Sequence, residues 1–300
     1  MTIGCRERGN FVNQSQPSIL LERSRANQAH NAGGPFMPDV FSYEAEFLFK
    51  KPWMVVCAGP ELDRHIEDLQ RNAIEQSHMI VCVDRALVCL AHHKIVPDAV
   101  ISIEWQAESA KFLDDIPDAW LSVPLIASTN ASPEFINRWK GPVFWFVQGI
   151  GDMNEENDWV SRKRSLSIFP SFRHVGGTAV FLAKGFSEAP DQMRVYGNDY
   201  WYYGAEIRGR LPGEIGFICT KYYATPIPTE PRIQWRYDSR LTLHDSDDGH
   251  KYTADSYPWQ LEPLGLGVVG RWTDHNLHFL KHELGLIDGY LKNTKAEVME

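Results

Sequence analysis

The chain is poor in the features that announce a specialised environment. Cysteine is scarce, five residues in 300 (Cys5, Cys57, Cys82, Cys89 and Cys219), with no CxxC pair, which argues against a disulfide scaffold or a thiolate metal site. Cys57 and Cys82 sit inside apolar runs where a small hydrophobe would serve equally well, so the sequence reads as one for a reducing compartment. No apolar stretch approaches the roughly 20 residues of a membrane helix, and the polar segment Met1 to Gly34 lacks the apolar centre of a secretory signal. A cytoplasmic location with no membrane partner is expected. Positive charge is not in excess either: 30 Lys plus Arg face 39 Asp plus Glu, a net charge of -9, so no nucleic-acid partner is expected. GxxxxGK[ST] and HExxH are absent and no GxGxxG fingerprint follows a predicted strand, so neither a P-loop kinase, a conventional NAD enzyme nor a zinc protease is supported.

What is present is apolar mass, 43% hydrophobic and 12% aromatic, enough for a substantial core. Residues 1–40 are rich in Asn, Gln, Ser, Gly and Pro without a sustained period and read as a flexible N-terminal arm. From Phe41 short β-rich runs alternate with helical patterns. Strands are predicted at Trp53 to Ala58, Met79 to Val83, Ala99 to Ile103, Pro124 to Ala127, Val143 to Val147 and Gln192 to Tyr196. Between them lie helix patterns at Glu61 to Arg71, Ala86 to His92, Glu108 to Leu113, Pro133 to Trp139 and, after Gly176 and Gly177, Thr178 to Phe186. Gly149 to Phe172 is charged and irregular and reads as a mobile loop over a site. The fold class is therefore α/β: a Rossmann-like, doubly wound, mostly parallel sheet over 41–209, followed by a small C-terminal lid over 210–300 with a terminal helix at Asn276 to Leu284.

Ligands of such sheets bind beyond the carboxyl ends of the strands, so the residues after each strand are the candidates. Gly59 and Pro60 open a turn that lets a backbone approach an anion, although an ordinary tight turn would look the same. Asp84 and Arg85 follow the second strand, where a carboxylate can accept from a ribose and a guanidinium can clamp phosphate; an N-capping Asp explains half of this. Glu104 follows the third strand. Gly176, Gly177 and Thr178 open a helix whose N-terminus can cradle phosphate, and Asn198 and Asp199 follow the last strand, with Tyr203 in the aromatic cluster behind them. His244 and His250 bracket the acidic run Asp245-Ser246-Asp247-Asp248; with Asp199 they are the candidate proton acceptors. His275, His278 and His282 share a helical face that reads as a solvated surface.

Val55-Val56-Cys57-Ala58-Gly59-Pro60-Glu61-Leu62, Cys82-Val83-Asp84-Arg85-Ala86-Leu87, Ile95-Val96-Pro97-Asp98-Ala99-Val100, His174-Val175-Gly176-Gly177-Thr178-Ala179 and Val195-Tyr196-Gly197-Asn198-Asp199 together resemble the MptE-like domain family, in family order. That family includes archaeal 6-hydroxymethylpterin diphosphokinases and motility accessory factors that glycosylate flagellin. Its central domain is similar to bacterial sialyltransferases that use a CMP-linked nonulosonic acid. The chain departs from the family pattern in three places: Glu61 stands where Gly-Pro-Ser-Leu has its serine, Asn198 where Gly-Gln-Asp has its glutamine, and Arg208 occupies the neighbourhood soon after that Asp in which many glycosylating members place a histidine. The resemblance implies a transferase with a nucleotide-linked donor and a hydroxyl acceptor. One version is a glycosyltransferase that needs no metal. Another is a diphosphokinase using Mg-ATP, with magnesium on Asp84, Glu104 and Asp199. A silent binding module on the same fold is the third.

Overall fold

The computed structural model describes residues 18–34, 36–58, 62, 65–114, 116–172 and 174–198, the strand backbones 215–217, 224–226, 260–264 and 268–272, and the helical residues 284–292. Strands β1 (Trp53–Val56), β2 (Met79–Val83), β3 (Ala99–Ser102), β4 (Leu125–Ser128), β5 (Val143–Gly149), β6 (Ile168–Pro170) and β7 (Arg194–Tyr196) form one parallel sheet. The order is β7-β1-β2-β3-β4-β5-β6. Every residue of β1 to β4 is buried, as expected of strands covered on both faces. The doubly wound, mostly parallel α/β sheet read from the alternation is the architecture observed.

The winding follows from the handedness of parallel crossovers. From β1 to β6 the chain steps across the sheet in one direction, through α2 (Ile66–Glu75), α3 (Ala86–His92), a short α4 (Pro133–Ile136) and α5 (Asn154–Arg164). It then returns across the whole sheet through α6 (Val175–Phe186) to lay β7 on the other side of β1. The return helix packs against β1, β2 and β3, and its residues from Gly176 to Ala183 are buried, which accounts for its apolar composition. The strand order reverses at β1 and β7. That is the switch point at which such sheets open a crevice.

Three sequence expectations need correction. Within the segment read as a flexible arm, Ser18–Ala32 is a 15-residue helix, α1, that packs onto α4 and α5. The segment read as a mobile loop contains α5 and β6. The α5 helix carries Glu155 and Glu156 in its first turn and Arg162, Lys163 and Arg164 in its last, charges that complement the helix dipole, and Ser165 ends it in the left-handed region at φ 55°. Last, the boundary at 209 does not close the sheet. Strand β11 (Val268–Trp272) pairs parallel with β7, and β10 (Gln260–Leu264) pairs antiparallel with β11. The small hairpin of β8 (Ile215–Phe217) and β9 (Ala224–Pro226) stands apart from this sheet.

Smaller shifts concern boundaries. Helix α2 begins at Ile66 rather than Glu61, Pro133–Ile136 is a single turn, Ala107–Leu113 is a 3-10 helix, and Gly176 and Gly177 lie inside α6 rather than ahead of it. The helical residues 284–292 overlap the expected terminal helix only at Leu284; 276–283 lie outside the described residues. Leu284 and Ile287 are buried, Tyr290 meets Phe181 edge-on at 5.5 Å, and Lys184 pairs with Asp288, so this segment packs on α6. Among the described residues no helix is long and apolar enough to cross a membrane.

Candidate functional site

Because β7, β1, β2 and β3 are parallel neighbours, the turns that follow them lie on one edge of the sheet. Cys57 extends β1 by one residue, its amide donating to Tyr196 O at 2.8 Å. There the chain turns out of β7 through Gly197, at φ 68°, where a Cβ would stand 2.3 Å from Cys57 O. Glycine is required on both counts. Asn198, next along, is buried.

The N-terminus of α6 meets these two strand ends. A Cβ on Gly176 would lie 2.9 Å from Asn198 Oδ1, 2.9 Å from Cys57 Sγ and 3.1 Å from His174 Nδ1. The helix start is thus pressed onto the β1 and β7 turns as closely as a hydrogen permits. His174 is the cap, its Nδ1 accepting from the Gly177 amide at 3.2 Å. Thr178 is buried, and its hydroxyl makes no hydrogen bond among the described residues. The arrangement aims the positive end of a 12-residue helix at the switch point, a setting suited to an anion.

One and two strands further along stand the carboxylates. Asp84, 3% exposed, accepts from Arg85 N at 2.8 Å through Oδ1 and from Ser102 Oγ at 2.7 Å through Oδ2. Burial raises its pKa above the ordinary value, opposed by the Ser102 hydrogen bond and by Arg85. Glu104 is held less tightly. Its Oε1 accepts from Gln106 N at 3.2 Å, and Oε2 faces Arg85 Nη2 at 3.7 Å. Its pKa too is raised, by burial first and by the neighbouring Asp84, with Arg85 pulling it down. Two desolvated acids therefore share one guanidinium, with one acid locked and the other only loosely paired.

The next two strand ends are closed by α1. The loop from Ser128 to Ser132 after β4 is buried. Asn31 Nδ2 donates to Thr129 O at 3.0 Å and Ala131 O at 2.8 Å, and Gln28 Nε2 to Asn157 Oδ1 at 2.9 Å. Arg25 reaches Asp152 O at 3.0 Å and Glu156 at 2.7 Å. Among the described residues, therefore, the part of the carboxyl edge left uncovered runs from β7 to β3.

The structure thus brings Gly176, Gly177, Thr178 and Asn198 together at β1 and β7, and Asp84, Arg85 and Glu104 together at β2 and β3. Gly59, Pro60, Glu61, Asp199, Tyr203, His244 and His250 lie outside the described residues, as do the acidic run at 245–248 and His275, His278 and His282. Two polar residues of the site escaped the sequence reading. Ser102 is the polar last residue of an otherwise apolar strand, a signal that the strand-end rule can use. His174 sits three residues ahead of the amide that it caps.

The family described as 6-hydroxymethylpterin diphosphokinase MptE-like matches residues 23–202, more than half of the chain. No curated protein matches. Among solved structures, the MAf glycosyltransferase of Magnetospirillum magneticum AMB-1 aligns with a TM-score of 0.45 at 17% identity, over 74% of this chain and 35% of that protein. The chain thus matches about a third of that protein's length.

Proposed function

Since the chain belongs to the MptE-like family, we propose that it is a transferase that binds a nucleotide-activated donor along the open carboxyl edge, and that the group transferred is glycosyl. The observation that carries this reading is the seating of α6 on the β1 and β7 turns, with no room for a side chain at Gly176. The leaving phosphate would take the helix-terminal amides, and the turn at Gly59 and Pro60 would approach it from the β1 side. Fixed dipoles aimed at a leaving phosphate stabilise the charge that develops as the glycosidic C–O bond breaks. The acceptor hydroxyl would lose its proton to Asp199, His244 or His250, and Tyr203 would line the donor.

A second reading, a Mg-ATP diphosphokinase of the pterin type, is favoured by Asp84 and Glu104 on adjacent strand ends. Hard carboxylate oxygens suit magnesium. Asp84, however, has both oxygens engaged, and no group of three metal-ligating side chains converges among the described residues. This reading therefore depends on Asp199 completing the set.

A thermal-shift screen against CMP, UDP, GDP, ADP and ATP, each with and without magnesium, tests the choice. A ligand present at 100 times its dissociation constant adds about 2.7 kcal/mol. Stabilisation by a nucleotide without metal is expected. A response to ATP that needs magnesium would transfer the assignment to the diphosphokinase, and no response to any nucleotide would leave a binding module on the same fold.

A further inference from the structure

The open edge has a definite length. Adjacent strands lie about 4.8 Å apart, so the ends of β1 and β3 are separated by about 10 Å. That is comparable to a nucleoside monophosphate laid out from phosphate to base. Along this line the chemistry changes in order: helix-terminal amides at β1, carboxylates with Arg85 at β2 and β3, and then Trp105, directly after Glu104, where α1 closes the edge.

Trp105 is not an ordinary core tryptophan. It is half-buried, its indole N–H has no hydrogen-bond partner among the described residues, and no aromatic ring among them packs on it. Its backbone is nevertheless fixed, the carbonyl accepting from Asn27 Nδ2 at 2.8 Å while the same amide donates to Asn130 O at 3.1 Å. One turn earlier on α1, exposed Arg23 places its guanidinium carbon 5.9 Å from the indole centroid. A rigidly placed, half-open indole beside a cation is a platform for a flat ring.

We propose that Trp105, with Arg23 of α1 beside it, is the base-stacking subsite of the nucleotide, at the β3 end of the row that begins at the N-terminus of α6. The assignment rests on the donor-binding reading and deepens it. It makes α1 part of the ligand site: Asn27 sets the platform and Arg23 flanks it. The ribose then lies over Asp84 and Glu104, within reach of the loosely paired Glu104 carboxylate.

Calorimetric titration with CMP, UMP, GMP and AMP, and with ribose 5-phosphate as a probe lacking the base, tests it in the full-length chain. For Trp105→Ala a loss of roughly tenfold or more is expected toward whichever nucleotides bind the parent, as for removal of a stacked base–aromatic pair. Ribose 5-phosphate affinity should not change. Trp105→Phe should stay within a few-fold of the parent, and Arg23→Ala should lose a few-fold on nucleotides alone. Parent-like nucleotide affinity in Trp105→Ala overturns the subsite, as does an equal loss on ribose 5-phosphate, which marks a structural role. Should Trp105→Ala fail to fold, Trp105→Leu and Arg23→Ala decide the matter by the same comparison. Nucleotides that bind the parent no better than ribose 5-phosphate overturn the subsite while leaving the donor site standing. A parent that binds none of these probes removes the donor-binding reading, and the subsite with it.

Discussion

Gly197 holds the switch point together at the scale of one atom. An alanine there would have to keep φ near 68° and place its Cβ 2.3 Å from the Cys57 carbonyl oxygen, a backbone contact that cannot rotate away. The left-handed conformation alone costs on the order of 1–3 kcal/mol for a side-chain-bearing residue. Gly197→Ala is therefore expected to lose more than about 2 kcal/mol in urea denaturation, whereas alanine at Gly285, which has nothing within 4 Å, should lose far less. A near-parental midpoint for Gly197→Ala would refute the packing described. Glu104 carries a different kind of residue-scale consequence. Its folded-state pKa is raised by burial and by Asp84, so its contribution to stability is fully present below its ordinary value of 4.5 and is lost as pH rises through the folded value. Relative to Glu104→Gln, the parent should gain stability as pH falls from 7.5 toward 5. Urea midpoints of both proteins at the two pH values check the sign; a parent that gains nothing on the variant, or loses to it, as pH falls would show that burial does not outweigh Arg85. Asp84 and Glu104 were legible because each follows an apolar run directly. Their division into a locked acid and a loosely paired one was not, since it depends on Ser102 reaching across from the neighbouring strand.

Strands β1 to β5 were legible as elements because burial on both faces leaves each as a largely apolar run, and α6 because it is buried over most of its length; β6 and the strands after residue 209 were not. Helices α1 and α5 were not. In α1 the buried positions Ser24, Gln28 and Asn31 fall at helical spacing, but their side chains are polar, so a search for apolar periodicity passes over them. The helix covers loops rather than a hydrophobic surface, and what loops present is unpaired carbonyls; side-chain amides are the matching partners. Asn31 serves two of these at once. Replacing it by alanine leaves both Thr129 O and Ala131 O without that donor, and the expected cost is on the order of 2–4 kcal/mol. Glu22→Ala, on the exposed face of the same helix, should fall within about 0.5 kcal/mol of the parent. Chemical denaturation of the two variants side by side is the measurement. Equal effects would mean that α1 lies on the surface without closing the β4 and β5 ends. The same comparison bears on the site, because the closure by α1 is what confines the open edge to β7, β1, β2 and β3.

At the scale of the molecule, the sequence boundary at residue 209 separates two stretches of composition but cuts through one sheet. The loss of strand-helix alternation after Arg210 is real in the sequence, and it hides the return of β11 to the edge of β7, because a strand added from far along the chain leaves no local trace of its partner. The helical residues 284–292 tighten the connection. Their Leu291 Cδ2 approaches to 2.8 Å of where a Gly185 Cβ would stand, so Gly185 is the clearance that lets this segment lie on α6. A chain ended at Gly209 would uncover the β7 edge, leaving unpaired backbone groups of the kind that recruit other chains. It would also bare the face of α6 that now meets Tyr290 and Leu291. Such a truncation is expected to aggregate or to melt well below the full chain. Light scattering and a thermal melt at matched concentration distinguish the outcomes. If the 1–209 fragment stayed monomeric with an unchanged melting temperature, the carboxyl-edge crevice would belong to a self-sufficient domain and the C-terminal strands would be accessory to it. If it fails as expected, the β7 side of the crevice, where α6 and Asn198 meet, depends for its shape on residues some 70 positions further along the chain.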